Sequence, residues 1–440
     1  MAAEAVSAPR LSIEFRTSPN SRIDVDKRDF IRTLGSASLG VMFSPGLLAR
    51  YSAMPYERIA EDEAFWRTIR GKYRLTPDYI NLENGYYSMQ AEPVLDAFIG
   101  HVRSINVQAS RYMRTRQPDD KLRVRTRLAK MAGVSPEELI ITRNTTESLD
   151  TVINGFDWQP GDEAVMAEQD YGAMLDMFKL QARRRGIVNR VVSLPLDPRS
   201  DDEIVQLYAN AITPRTRLLM VGHMVNITGH ILPVRAISDM AHARGVEVMT
   251  DGAHAFAQLA FNIPDLGCDY YGASLHKWLG TPLGAGILYV KQDRIAKLWP
   301  IYADMGMADT DIRKLNHTGT HPVHTDLGVE NAIDFHEAIG IERKEARLRY
   351  LQQYWTKQVR GVPNVIVNTP RDPKRSCAIA NVGVANMKPG DLAKTLMDRY
   401  KVFTVAIDGA NVHGVRVTPQ LFTTPQELDA FVRALKEIAA

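Results

Sequence analysis

The sequence predicts an α/β fold: a large domain around a mainly parallel seven-stranded sheet, followed by a smaller C-terminal α+β domain. Three observations carry this prediction. From about Tyr73 onward, short apolar runs alternate with longer amphipathic segments, the rhythm of βα units around a parallel sheet. Seven of those runs have the length and composition of buried strands. A long charged helical stretch then separates this region from a last part with strands of its own.

In chain order, strands are expected at Leu139 to Thr142, Glu163 to Met166, Val188 to Leu194, Arg217 to Val221, Val246 to Thr250, Tyr270 to Ser274 and Gly286 to Val290. Helical patterns lie between them, among them Glu147 to Asn154 and Leu232 to Arg244, the latter stopped by Gly245. One long helix is expected from Asn331 to Val359. Beyond it come strands near Val365 to Asn368, Ala378 to Val382 and Val415 to Thr418, and a closing helix from Pro425 to Ile438. The expected division is a leader over 1–55, a large domain over 56–330 whose N-terminal segment packs on the small domain, and the small domain over 331–440, hinged by the long helix.

The 440 residues are 45% hydrophobic and 24% charged, ordinary for a soluble globular protein. A net charge of +3, from 54 basic and 51 acidic residues, gives no electrostatic case for nucleic acid, so a small-molecule substrate is expected. Two cysteines, Cys268 and Cys377, are too few for a disulfide framework and lack a zinc-type spacing. His317, His321 and His324 cluster in sequence, but their spacing does not establish a metal site, and none is expected.

Near the N-terminus, Asp26-Lys27-Arg28-Asp29-Phe30-Ile31-Arg32 precedes an uncharged run from Thr33 to Ala49, with small residues near Ser52-Ala53. That is the three-part order of an export signal, and the run is too short and polar for stable membrane insertion. It resembles a twin-arginine signal in which Lys27 stands where the first arginine is usual. A periplasmic location follows from this reading, whereas a plain N-terminal extension would leave the protein cytoplasmic.

Three of the expected strands end in unusual chemistry, and in such sheets the carboxyl ends face the ligand crevice. After the first strand, Arg143-Asn144-Thr145-Thr146-Glu147-Ser148 opens a helix with hydroxyl residues, which suits a phosphate at the helix N-terminus or simply a helix cap. Val248-Met249-Thr250-Asp251 delivers a carboxylate that can hold a cation, a metal or a protonated ring nitrogen. In Ser274-Leu275-His276-Lys277-Trp278-Leu279-Gly280, a lysine sits in a Gly-rich turn, where a desolvated amine favours imine chemistry and a solvated one does nothing special. Together the three ask for a ligand with a phosphate, a protonated pyridine and an aldehyde, which describes pyridoxal 5'-phosphate.

The blocks RNTTESL, DGAHAFA, SLHKWLGTPLGAGILYV and GVRVTPQLFTT, in this order, also resemble the class V aminotransferase family of fold type I pyridoxal-phosphate enzymes, most closely its isopenicillin N epimerase-like members. The resemblance runs from about Ile80 to the C-terminus. It implies that Lys277 is the Schiff-base lysine and Asp251 the partner of the pyridinium nitrogen. It implies that Thr145 and Thr146 hold the phosphate with Ser274 and His276, and that Tyr171 stacks on the ring. His254 would lie near the phenolic oxygen and act in catalysis with Lys277 and Asp251, and Asn226 near the same oxygen or the substrate carboxylate. Arg416 would bind that carboxylate, with Asn84 nearby. Family members are dimers, and Gly319-Thr320 would reach the neighbour's phosphate.

What the resemblance implies for function is an enzyme acting at the α-carbon of an amino acid or amino-acid-containing substrate, as an aminotransferase or epimerase-like enzyme, with a lyase or an oxidative deaminase or decarboxylase as the alternative and a non-catalytic cofactor-binding protein as a third. Cysteine desulfurases share the fold but need a thiol on a loop near the carboxylate arginine, and Ala406 to Val415 holds none. Arg111, Arg114 and Arg116 could line the entrance and favour an acidic side chain, or form a solvated basic helix face.

Overall fold

The computed structural model describes residues 51, 54–302 and 306–440. The expected export leader, including Lys27 and Arg28, lies outside the described residues apart from Tyr51, Met54 and Pro55. Strands in chain order are β1 (Ile80–Asn81), β2 (Leu139–Thr142), β3 (Glu163–Ala167), β4 (Val188–Val192), β5 (Thr216–Gly222), β6 (Glu247–Asp251), β7 (Tyr270–Ser274), β8 (Gly286–Val290), β9 (Val365–Val367), β10 (Ala380–Val384), β11 (Val402–Phe403), β12 (Val405–Gly409) and β13 (Val412–Val417).

Strands β2 to β8 form one seven-stranded sheet in the order β2-β8-β7-β6-β5-β3-β4. Its neighbours pair in parallel except where β8 runs against β2 and β7. Helices cover both faces, which is why the central strands read as continuous apolar runs rather than as alternating ones. Side-chain alternation still sorts them: Leu139, Ile141, Val165, Leu219, Val221 and Val248 join one core, and Ile140, Ala164, Met166, Leu218, Met220 and Met249 the other.

The second sheet is antiparallel, in the order β12-β13-β10-β9, and closes over a separate core with Leu351, Trp355, Leu428 and Phe431. The N-terminal segment belongs with it physically, because β1 pairs in parallel with β11 and Arg70 bonds Glu427 at 2.8 Å. Strand β12 and the helix Pro389–Tyr400 have no counterpart among the expected elements. The β12–β13 hairpin turns through Ala410 and Asn411, both at positive φ (51° and 59°), as a two-residue loop requires.

The single long helix expected from Asn331 to Val359 is instead two, Val323–Ile339 and Ile341–Val359. Gly340 takes φ 87°, outside the helical range, and re-aims the chain so that both helices bury a face.

At the start of the second helix, Lys344 is buried, its amine donating to the Trp278 carbonyl one residue beyond Lys277. Burial pushes its pKa down to about 7. From about pH 7 to the unfolded value near 10.4 the unfolded chain holds one proton more, so this lysine's destabilising effect is full below pH 7 and fades as pH rises. Lys344→Met is therefore expected to stabilise the protein at pH 6 by on the order of 2 kcal/mol, after loss of the carbonyl bond, with the gain vanishing near pH 10. Urea midpoints of both proteins across that range check it, and a pH-independent difference would contradict it.

Candidate active site

The carboxyl ends of β2, β3, β5, β6 and β7 converge on a cavity of about 300 Å³, closed from the other side by the end of β13. Among the residues lining it are Thr145, Thr146, Tyr171, Asn226, Asp251, His254, Ser274, His276, Lys277 and Arg416. Ten of the residues expected at the site from sequence thus meet in one place. Two do not line it. Asn84 is buried alongside, its side chain bonded to the Thr418 carbonyl (2.8 Å) and Asn81 (3.1 Å), and Thr320 is exposed on the surface outside it.

At one end the helix Thr145–Gly155 points its N-terminus into the cavity. Asn144 caps it by accepting the Glu147 amide at 2.9 Å, and Ser274 Oγ accepts the Thr145 amide at 2.9 Å while lying 2.7 Å from its hydroxyl. This ties β2 to β7 and leaves hydroxyls, amides and the positive helix end together. His276 is held neutral by burial, its pKa near 4, and its Nδ1 is buried with no protein partner.

Asp251 ends β6 and accepts the Ala253 amide at 2.9 Å. The sharp turn depends on Gly252, where a Cβ would fall 1.9 Å from the Tyr271 ring. Burial raises the Asp251 pKa, while the Ala253 bond and Lys277 pull it back. Beside it Asp170, bonded to the Ala167 amide at 2.8 Å, is pushed up to about 7 by burial and by the Asp251 charge.

Lys277 follows β7, inside the loop that Leu275 closes by bonding the Ala285 carbonyl at 3.0 Å. Burial lowers its pKa to about 8; Arg416 acts the same way, and Asp251 and Glu83 oppose it. Its Nζ lies 3.1 Å from His254 Nε2, and the Trp278 indole donates to His254 Nδ1 at 3.4 Å. Burial keeps His254 neutral, and the Trp278 bond to Nδ1 assigns its proton to Nε2, which donates to the Lys277 amine once that amine is neutral, above its pKa near 8.

Arg416 is buried, with Nε 3.2 Å and Nη2 2.6 Å from the Glu83 carboxylate, and Nη1 3.2 Å from the Asn226 carbonyl. Sequence reasoning missed Glu83 and Asp170. Glu83 follows a two-residue strand with no pattern of its own, and Asp170 reads as an ordinary turn residue. Arg111, Arg114 and Arg116 are exposed and do not line the cavity.

The Aminotransferase class-V family model matches residues 82–434. The chain belongs to the class V aminotransferase family. It is 30% identical to an isopenicillin N epimerase of Amycolatopsis lactamdurans over 398 residues, 85% of this chain and 98% of that one. A probable cysteine desulfurase of Halobacterium salinarum is 28% identical, covering 82% of this chain and 91% of its own. Among solved structures, a C-DES variant with glycine covalently linked to its pyridoxal-phosphate cofactor superposes with TM-score 0.77 at 20% identity, covering 84% of this chain and 99% of that one. The apo cysteine desulfurase of Thermococcus onnurineus NA1 gives 0.75 at 20% identity, over 85% and 98%. The fold is that of type I pyridoxal-phosphate proteins.

Pyridoxal phosphate is the cofactor of this class V chain. The donor set suits it: a helix N-terminus with Thr145, Thr146 and Ser274 at one end, a buried carboxylate at Asp251, and a desolvated amine at Lys277.

Proposed function

We propose that the protein is a pyridoxal-phosphate enzyme that removes the α-proton of an amino acid or amino-acid-containing substrate, with epimerase-like return of that proton or transamination as the outcome. The supporting observation is Lys277, a buried amine with its pKa near 8, within hydrogen-bond reach of His254 and under the electrostatic influence of Asp251, in a cavity that Arg416 also lines. When bound, the cofactor supplies an electron sink for the pair left at the α-carbon.

The residues act as follows. Thr145 and Thr146, with Ser274 and His276, hold the phosphate through amides and hydroxyls. Asp251 would hold the ring nitrogen, whose positive charge would reverse the effect of burial on its carboxyl. Tyr171, half exposed at the mouth, would cover the ring, and His254 and Asn226 would serve the phenolic oxygen. Arg416 takes the substrate carboxylate, and the freed Lys277 amine moves the proton.

Desulfuration by a protein thiol is not part of this reading. Cys268 and Cys377 are buried and do not line the cavity, and burial pushes both thiols up to about 12, far from the nucleophilic thiolate.

The test is incubation of the holoenzyme with a panel of amino acids and of peptides that contain them in deuterated water, followed by proton resonance and chiral analysis. Exchange with inverted product supports the epimerase-like outcome, exchange with 2-oxo acid supports transamination, and absence of exchange with every compound of the panel rejects the reading. Two further parts of the proposal concern assembly and place. Two copies pair so that Gly319-Thr320 of one approaches the phosphate end of the other, which suits the exposed Leu283, Trp299 and Tyr302; sedimentation as a monomer would reject this. The Lys27-Arg28 leader directs export of the folded protein, and cell fractionation with both residues replaced tests it.

A further inference from the structure

The guanidinium of Arg416 is already shared. Glu83 occupies the edge formed by Nε and Nη2, and the Asn226 carbonyl takes one N–H of Nη1. Of the five donors, each of Nη1 and Nη2 keeps one more. Glu83 is fixed from its own side as well, because its Oε1 accepts the Tyr86 amide at 2.9 Å and its backbone bridges to Thr418, two residues beyond Arg416. Gly85 lies against the same group, its Cβ position 3.1 Å from Arg416 Cζ. Both side chains of the pair are under a tenth exposed, so water does little to screen them.

We infer that Glu83 is a specificity-determining residue: by holding one edge of Arg416 it leaves a half-neutralised cation that accepts one carboxylate and turns away a second. This rests on the reading that Arg416 binds the substrate carboxylate. A lone guanidinium would welcome a dicarboxylate; one that already shares its charge with Glu83 in a low-dielectric pocket keeps two donors for one directly bonded carboxylate, and a second carboxylate that cannot reach those donors meets the repulsion of Glu83 uncompensated. The substrate class is then amino acids with a neutral or cationic side chain near this end, rather than acidic ones. Among the described residues, Arg143 at the phosphate end is the one other arginine that lines the cavity, which points the same way.

Calorimetric titration of the holoenzyme with propionate and succinate, which differ by one carboxylate, tests the inference. Wild type should bind propionate more tightly than succinate, a result that needs no variant to fold. Glu83→Gln should tighten succinate at least tenfold and propionate less than threefold. Arg416→Lys should weaken propionate at least tenfold, since it keeps the charge but loses the paired donors. If Arg416→Lys leaves propionate unchanged, the carboxylate reading of Arg416 fails. If it weakens propionate while folded Glu83→Gln keeps the succinate-to-propionate ratio within twofold, or if wild type prefers succinate, the role of Glu83 alone is overturned.

Discussion

Lys277→Ala is expected to abolish covalent attachment of the cofactor and to lower α-proton exchange by more than the ~10² to 10⁴ typical of losing a general base, because one amine serves both roles. Cofactor binding itself should survive in part, since Thr145, Thr146, Asp251 and Tyr171 remain in the cavity. Borohydride reduction and peptide mass spectrometry should find the pyridoxyl group on Lys277 in wild type and on no lysine in the variant. The pH dependence adds an independent readout. Only the neutral amine attacks a carbonyl, and Lys277 titrates near 8, so attachment of added cofactor to apoenzyme should rise roughly tenfold per unit below pH 8 and level off above it. A label on another lysine, or exchange that survives the substitution, would remove Lys277 from the proposed chemistry.

Much of this arrangement is legible in the sequence for physical reasons that differ from element to element. Six of the seven strands of the large sheet are largely buried, the edge strand β4 being the exception, so they stand out as apolar runs, and their ends and the turns after them carry Thr145, Asp251 and Lys277 in plain view. The small domain is harder. Its β12 has residues that are at most half-buried and is set by pairing with β13 rather than by pattern. Gly340 is one residue in a stretch otherwise helical in character, and only the burial of Ile339 on one side and Leu348 on the other shows why the chain must turn there. The pairing of Arg416 with Glu83 is out of reach of any local reading, because the two lie 333 positions apart and meet only when β1 docks on β11.

The other large effect is expected at Asp251. Asp251→Asn keeps an oxygen for the Ala253 amide and nearly the same shape, so the fold should hold, while the charge facing the ring nitrogen is lost. An adjacent carboxylate favours a protonated partner by about 1 to 3 pKa units, so α-proton exchange should fall by roughly 10 to 10³-fold. Lys277 reports the same change without catalysis: Asp251 raises its pKa, so the pH midpoint for cofactor attachment should move below 8 in the variant. Asp170 supplies the reason the loss should stop short of complete. Its own carboxyl is held up to about 7 by burial and partly by the Asp251 charge, and removing that charge lets Asp170 ionise more readily and return a negative charge to the same wall. The double variant Asp170→Asn with Asp251→Asn should therefore be slower than Asp251→Asn alone, whereas Asp170→Asn in the wild-type background should change exchange little. An unmoved midpoint together with exchange within threefold of wild type would place the ring nitrogen away from Asp251.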